Sequence, residues 1–363
     1  MSLTTSLIVD PLGKIYGYAQ EVTAGKLVAC EKVKMACARF LLDLEKSKNP
    51  EYPWRFDERL ALRPIAFMER FLAPTKGNYE HMELMPWECF VEGNIYGWVR
   101  KETGLRRFRE ALIVVGRGNG KSTLMAGNAT FGASKDGERG ADVYLLANSK
   151  EQASIVYTEC TGQIEASPFL ASRFRTLRDG IYYDKTNSRI QHRASDSHKL
   201  DGLNPHMGVF DEIHEYRDYK LINVIKRGMN KRRQPLAIYI TTMGTVLEGP
   251  LMDYYALFTD AMQEGMLPAG VADRLFCFIC ELDSTDNIED RSCWIKANPG
   301  MGLLLDLDTL SNDWERCKNI PQERSDFITK QLNVMADASD AGFVDIGVLN
   351  RNRKTLDMES LTG

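Results

Sequence analysis

The chain has 363 residues, of which 44% are hydrophobic and 26% charged, and its formal net charge is −4. This length allows one to three domains, and the lack of a basic excess means that any nucleic-acid contact must come from a local patch of cations. Neither a signal peptide nor a run of about 20 apolar residues that could span a bilayer stands out, so we expect a protein without membrane contact. The eight cysteines are scattered, which is typical of a reducing compartment. The single C-x-x-C, Cys277 to Cys280, is better explained by a buried strand than by a zinc site.

The first part of the chain is predicted to be helical. Apolar residues recur at helical spacing over residues 19–45, which predicts one helix that ends before Asn49-Pro50. A second helical stretch covers residues 64–71, and an apolar stretch follows at 85–98. We assign residues 1–60 to an N-terminal helical segment.

From residue 111 onward, buried strands alternate with helices. Near-continuous apolar runs, typical of strands covered on both faces, occupy residues 111–115, 143–147, 207–210 and 236–241. Helices are predicted between them at 121–133, 150–165 and 219–229, with a polar hairpin at 173–193. This alternation predicts an α/β core with a mainly parallel sheet between helices.

The C-terminal third is predicted to add a smaller unit to this core. A helix is expected at 251–264, a strand at 275–282, and helices interrupted by Asn298-Pro299-Gly300 at 294–335. We therefore assign residues 61–264 to the core, 265–345 to a lid and linker subdomain, and 346–363 to a linker.

A glycine-rich loop follows the first buried strand and precedes a helix. It consists of Gly116, Arg117, Gly118, Asn119, Gly120, Lys121, Ser122 and Thr123. In such a loop the backbone amides turn inward to cradle phosphates, Lys121 reaches the β and γ phosphates, and Ser122 offers a hydroxyl to Mg²⁺. The strict pattern has a glycine where Val115 stands, so this loop is a variant form. Arg117 could contact the γ phosphate, or it could be a surface arginine paired with an acid.

Two carboxylates end the apolar run at 207–210. Asp211 is placed to hold a water on Mg²⁺, and Glu212 to orient the attacking water. His214 is expected to support the site or lie on the surface. Thr241 and Thr242, at the tip of the next strand, could sense the γ phosphate, although threonine is also simply favoured in strands.

Together these motifs resemble the large terminase subunits of tailed bacteriophages. The resemblance also covers the stretches 84–87, 200–205, 232–236, 296–299 and 329–333. It implies a P-loop NTPase of the additional-strand, catalytic-glutamate type, which uses ATP and Mg²⁺ to drive double-stranded DNA into a procapsid. It also implies a ring of identical subunits, a portal protein and a terminase small subunit as partners, and the host cytoplasm as the location.

The resemblance assigns further residues to the nucleotide site. Thr241 and Thr242 match its coupling motif, and Trp87 and Glu88 match the segment that contacts adenine, where many relatives have glutamine instead of Glu88. An arginine from a neighbouring subunit can complete the site. The candidates are Arg173, Arg175, Arg178, Arg189 and Arg193.

The resemblance also leads us to expect that the nuclease domain is missing. The first metal-binding aspartate of the family's nuclease would follow a segment like 356–363, where this sequence stops, and Asp345 is a lone acid. We therefore expect the motor alone, without nuclease activity.

Two basic clusters could follow a DNA backbone or simply be solvated helix ends. They are Arg100, Lys101, Arg106, Arg107 and Arg109, and Lys226, Arg227, Lys231, Arg232 and Arg233. Two alternatives to the packaging motor remain open. One is another P-loop helicase or translocase, although further helicase motifs are lacking. The other is a nucleotide-gated docking module that does not turn over ATP when isolated.

Overall fold

The computed structural model describes residues 10–77, 80–194, 202–244 and 248–335. The helices are α1 (Pro11–Thr23), α2 (Glu31–Ser47), α3 (Glu58–Phe71), α4 (Pro86–Gly97), α5 (Lys121–Ser134), α6 (Lys150–Ala166), α7 (Pro168–Ala171), α8 (Lys220–Met229), α9 (Pro250–Asp260), α10 (Ala269–Ala272), α11 (Leu307–Cys317) and α12 (Pro321–Lys330). The strands are β1 (Trp54–Phe56), β2 (Trp98–Arg100), β3 (Glu110–Val114), β4 (Asp142–Ala147), β5 (Arg175–Leu177), β6 (Gly180–Tyr183), β7 (Ser188–Ala194), β8 (Pro205–Asp211), β9 (Leu236–Thr241) and β10 (Leu275–Ile279). Short 3-10 helices span Ile213–Glu215 and Arg291–Lys296.

Eight of these strands form one sheet, in the order β10-β3-β9-β8-β4-β7-β6-β5. The strands from β10 to β7 are parallel, and β6 and β5 complete one edge in antiparallel pairing. Strand β9 lies between β3 and β8, so one strand separates the glycine-rich loop from the acidic pair. This order confirms the predicted α/β fold with an additional strand.

Helices cover both faces of the sheet because its parallel strands are apolar on both sides. Helices α2, α4, α5 and α6 contact one face, and α8 and α9 contact the other. The larger core includes Phe90, Ile113 and Phe278, and the core on the opposite face includes Phe210, Tyr239 and Phe258. Cys277 and Cys280 are both buried at β10. Among the described residues no helix is long and apolar enough to cross a bilayer.

The prediction of one helix over residues 19–45 is wrong. The chain forms two helices, α1 and α2, which contact each other. Gly25 has a φ of 69° just beyond the end of α1, and this left-handed conformation at a glycine terminates a helix. Both helices have apolar faces with similar spacing, so the periodicity continued across a turn that reverses the chain.

The part of the chain after β10 builds a small core of its own. Phe327 lies 5.4 Å from Trp294 and 5.3 Å from Trp314, measured between ring centroids. Leu310, Ile328 and other apolar residues complete the cluster. Residues 282–332 therefore form a compact helical unit, which we call the C-terminal unit.

Glu92 is a fully buried carboxyl on α4, close to a second buried acid, Glu88. It accepts a hydrogen bond of 2.7 Å from Asn128 Nδ2. Burial raises the pKa of Glu92 to about 8, although the hydrogen bond from Asn128 opposes this shift. The folded protein therefore holds a proton there that the unfolded chain releases near pH 4.5.

We predict that Glu92→Gln stabilises the fold increasingly as pH rises. Since the pKa is raised on folding, the wild type loses stability between the unfolded and folded pKa values, and glutamine does not titrate. The gain in unfolding free energy should be about 1 to 3 kcal/mol larger at pH 7 than at pH 5. Urea unfolding at both pH values measures it, and an equal gain at both would contradict the buried, protonated carboxyl.

Candidate nucleotide-binding site

The glycine-rich loop connects β3 to α5 and turns at two glycines. Gly118 and Gly120 have φ values of 86° and 76°, which glycine adopts without strain. Helix α5 begins at Lys121, so its first amide groups lack helical partners and add positive potential at the loop. The loop therefore has the geometry of an anion site.

Lys121 lies inside this loop. Its Nζ donates to the carbonyl oxygens of Val115, at 3.2 Å, and Gly116, at 3.4 Å. Burial lowers the pKa of Lys121, whereas the charges of Glu212 and Asp211 oppose that shift. The ammonium group is thus close enough to the acidic pair to interact with both carboxylates.

The acidic pair ends β8 in an unusual backbone conformation. Glu212 has a φ of 47°, a left-handed conformation that costs energy for a residue other than glycine and is often found at functional sites. Its amide donates to Asp211 Oδ1 at 3.1 Å. Burial, together with the negative charge of Glu212, raises the pKa of Asp211 to about 7.

Thr241 and His214 hold the Glu212 carboxylate. Thr241 Oγ1 lies 3.4 Å from Glu212 Oε2 and 2.7 Å from His214 Nδ1, and His214 Nδ1 lies 3.2 Å from Glu212 Oε2. The amide of Thr242 also donates to Glu212 Oε2, at 3.3 Å. Burial disfavours ionisation of Glu212, but the hydrogen bond from His214 and the charge of Lys121 outweigh it and lower the pKa to about 2.

A cavity of about 510 Å³ adjoins the loop. Glu88 lines it, and Glu88 Oε2 accepts a hydrogen bond of 2.8 Å from the amide of Met85. Burial raises the pKa of Glu88 to about 8. Trp87 does not line this cavity, because its ring is buried and stacked on Phe278 in the core.

The remaining loop residues point in different directions. Thr123 Oγ1 donates to Glu159 at 3.2 Å, toward α6, while Ser122 lies in the first turn of α5. The Arg117 side chain is 61% exposed, and its Nη1 lies 4.0 Å from Asp326 on α12. The structure therefore does not bring Arg117 to Glu212.

Most of the arginines considered for a role in a neighbouring subunit have partners of their own. Arg175 pairs with Asp184 at 3.1 Å, Arg189 pairs with Asp142 at 2.7 Å, and Arg173 donates to the carbonyl oxygen of Phe169. Arg178 is exposed on the hairpin between β5 and β6.

The two basic clusters meet at the other edge of the sheet. Arg106 and Arg107 are buried in ion pairs, the first with Asp136 and the second with Asp43 and Asp273. These two therefore neither face DNA nor lie on a solvated helix end, the two alternatives considered for the first cluster, because their charges are neutralised in the core. Four other cations of the two clusters line a cleft of about 240 Å³ at the amino ends of β3, β9 and β10, together with Arg274; the four are Arg109, Lys226, Arg232 and Arg233.

Two buried asparagines at the site were not predicted to be functional. Asn298 contacts the glycine-rich loop, and Asn333 contacts the backbone beside Thr242. Both belong to stretches that support the family resemblance, 296–299 and 329–333, and this was the one sequence signal that pointed to them.

Two features at this edge of the sheet define a P-loop ATPase. One is a glycine-rich loop between a strand and a helix, and the other is an acidic pair at the end of a parallel strand that one further strand separates from the first. Comparison with known families agrees. Residues 86–259 match the model of the terminase large subunit's ATPase domain, and residues 270–363 match the model of the same subunit's endonuclease domain. The chain belongs to the terminase large subunit family.

Curated relatives and a solved structure support this assignment. The chain is 24% identical over 320 residues to the terminase large subunit of Lactococcus phage p2, which covers 84% of this chain and 58% of that protein. It is 35% identical over 163 residues to protein YmfN of Escherichia coli K12, covering 45% of this chain and 35% of YmfN. The crystal structure of the HK97 bacteriophage large terminase matches with a TM-score of 0.65 and 21% identity, over 76% of this chain and 55% of that one, so it supports the fold. The chain spans about half the length of the curated phage terminases it matches.

The expectation that the nuclease domain is absent, and nuclease activity with it, is wrong. The endonuclease model matches from residue 270, within the part that the sequence analysis assigned to a lid. The expectation depended on a single metal-binding aspartate that would follow residue 363, whereas the match to the endonuclease domain begins well before that position. Asp345 and the stretch 356–363 lie outside the described residues.

Proposed function

We propose that this chain hydrolyses ATP at the glycine-rich loop and uses the energy to move double-stranded DNA into a viral procapsid. The observation that carries the proposal is the placement of Thr241 and Lys121 around the Glu212 carboxylate. The proposal includes a ring of identical subunits on a portal protein, a terminase small subunit as partner, and the host cytoplasm as location.

Each residue has a role that its surroundings support. Glu212 is ionised at neutral pH because its pKa is about 2, so it can accept a hydrogen bond from water and align it with the γ phosphate. Lys121 and the loop amides hold the phosphates, and Thr241 and Thr242 restrain Glu212. For Arg117, the proposed γ-phosphate contact requires its side chain to turn from Asp326 toward the loop.

The residues present fit Mg²⁺. Asp211 is a buried carboxyl with no basic side chain within 4.0 Å among the described residues, and burial together with the negative charge of Glu212 raises its pKa. Asp211 and the Ser122 hydroxyl would hold the ion, which needs only one or two protein ligands when phosphates supply others. This agrees with the lack of a cluster of three metal-ligating side chains in the described part of the chain. When bound, Mg²⁺ would neutralise charge on the phosphates.

We predict that Glu212→Gln lowers kcat about 100-fold or more while nucleotide still binds, because glutamine cannot act as a base toward water. ATPase rate should be measured against protein concentration, with Glu215→Gln as a control at the end of the short 3-10 helix that follows Glu212. A specific activity that rises with concentration and is lost only in Glu212→Gln supports a ring motor. Bound nucleotide with a flat, near-zero rate in every protein would instead favour a docking module.

We propose that Glu88 contacts adenine as a neutral acid, which offers one donor and one acceptor as glutamine does. Since its pKa is about 8, wild-type affinity for ATP should fall as pH rises from 7 to 9, when the donor is lost. Glu88→Gln should remove this fall. Calorimetry of ATP and GTP binding to both proteins measures it, and parallel pH profiles would contradict the contact.

We propose that the cleft at the amino ends of the strands follows the DNA backbone. Among the described residues, no acid lies within 4.0 Å of the Arg233 or Arg274 side chains. Burial and the nearby charges of Arg106 and Arg274 lower the pKa of Arg109 to about 10. A phosphate would relieve this repulsion between cations.

Arg233→Ala should therefore weaken binding of duplex DNA uniformly across sequences and reduce the slope of log K against log salt by about 1. Arg59→Ala is the control, since Arg59 is exposed on α3 and does not line the cleft. Fluorescence anisotropy over a range of salt concentrations measures both. Equal slopes for Arg233→Ala and wild type would place the DNA elsewhere.

A further inference from the structure

The C-terminal unit is hydrogen-bonded to the glycine-rich loop through two buried asparagines. Asn119 and Asn298 are both fully buried and 179 positions apart in the chain. Asn119 Nδ2 donates to Asn298 Oδ1 at 2.9 Å, and Asn119 Oδ1 accepts from the amide of Gly300 at 2.8 Å. Asn298 Nδ2 donates in turn to the carbonyl oxygen of Gln331 at 2.8 Å. All polar atoms of both amides are thereby satisfied, which makes one arrangement of loop and C-terminal unit much more favourable than others.

Backbone hydrogen bonds also join the loop to the C-terminal unit. The amide of Gly116 donates to the carbonyl oxygen of Ala297 at 3.0 Å, and the amide of Arg117 donates to that of Lys330 at 2.7 Å. The approach is close because the glycines of the loop lack a Cβ: one on Gly118 would lie 2.6 Å from Leu305 Cδ2. The loop therefore cannot shift without moving the C-terminal unit or breaking these bonds.

A second contact reaches the other side of the nucleotide site. Asn333, whose φ is 51°, accepts from the amide of Met243 at 3.0 Å and donates to the carbonyl oxygen of Cys280 at 2.7 Å. Met243 directly follows Thr242, whose amide holds Glu212. The C-terminal unit, together with Asn333 directly after it, is thus bonded both to the loop that would hold the phosphates and to the strand end that holds the proposed base.

We infer that nucleotide occupancy of the loop is transmitted through the Asn119–Asn298 and Asn333–Met243 contacts into the C-terminal unit. Residues 282–332 lie within the part matched by the endonuclease model, 270–363. The ATP site would therefore control the conformation of a segment belonging to the nuclease part of the family. Asn119, Asn298 and Asn333 act as positioning residues in this scheme. The inference rests on the proposed function in that nucleotide must bind the loop.

Hydrogen exchange of the full chain, with and without a non-hydrolysable ATP analogue and Mg²⁺, tests this link. In the wild type, nucleotide should slow exchange at residues 116–124 and also at 294–302 and 327–335. Couplings between sites are typically worth 1–3 kcal/mol, so we expect about fivefold or greater slowing in the C-terminal peptides.

Asn298→Ala, at saturating nucleotide, should keep the protection of 116–124 and lose most of it at 294–302 and 327–335. Asn333→Gly should lose the protection at 327–335 in the same way, because glycine keeps the positive φ but lacks the amide that accepts from Met243. This second variant keeps the test available if one variant does not fold. Asn94→Ala is the matched control, because Asn94 is also buried and makes two hydrogen bonds, but to Phe90 and Trp98 on α4 and β2. Urea unfolding should show that the compared variants are folded.

The outcomes separate the inference from the proposed function. Protection of the wild-type loop without protection of the C-terminal peptides would overturn the inference alone, as would unchanged transmission in both Asn298→Ala and Asn333→Gly. Loss of transmission in Asn94→Ala to the same extent would show a general effect of destabilisation and would also overturn it. A wild-type loop without any nucleotide protection would overturn the proposed ATP site itself.

Discussion

The parallel register of β3, β9 and β8 is the constraint on which the site depends. Val114 pairs with Thr241, and Ile240 pairs with Asp211, so the glycine-rich loop, the Thr241 hydroxyl and the acidic pair emerge at the same edge of the sheet. Parallel strands hold this alignment only while both faces are covered, which the two helical layers ensure. A shift of one residue in β9 would turn the Thr241 side chain to the other face and remove it from Glu212.

At this edge, the pKa values of two adjacent carboxyls are shifted in opposite directions. Asp211 is buried beside a negative neighbour, and its pKa rises to about 7, whereas Glu212 interacts with His214 and Lys121, and its pKa falls to about 2. Divergent pKa values in neighbouring acids are a common mark of divided chemical roles. The left-handed backbone of Glu212 separates the two side chains, and its energetic cost is offset by the bonds from Thr241, Thr242 and His214.

The C-terminal unit changes how the chain is divided. It has its own aromatic core, yet its backbone carbonyl groups and the Asn298 side chain form hydrogen bonds with the glycine-rich loop of the ATPase site. The endonuclease model covers this unit, so a segment that the sequence analysis treated as a lid belongs to the family's nuclease part. Gly118 and Gly120 permit the left-handed turns of the loop. They also leave space for the C-terminal unit, Gly118 for Leu305 and Gly120 for Leu304.

Local patterns in the sequence were sufficient to predict most parallel strands of the large sheet, the glycine-rich loop and the position of the acidic pair. Buried parallel strands appear in the sequence as short apolar runs, and a phosphate loop requires glycines and lysine at fixed spacing, so Lys121, Asp211 and Glu212 could be proposed as site residues from neighbouring residues alone. The turn between α1 and α2 was not predicted, because hydrophobic periodicity shows only that residues are helical and not where one helix ends and the next begins. The orientation of Arg117 toward Asp326, the burial of Arg106 and Arg107, and the contact of Asn119 with Asn298 were decided only by the tertiary structure. Each depends on a partner between 30 and 209 positions away, and no local pattern specifies which distant group a polar side chain will meet.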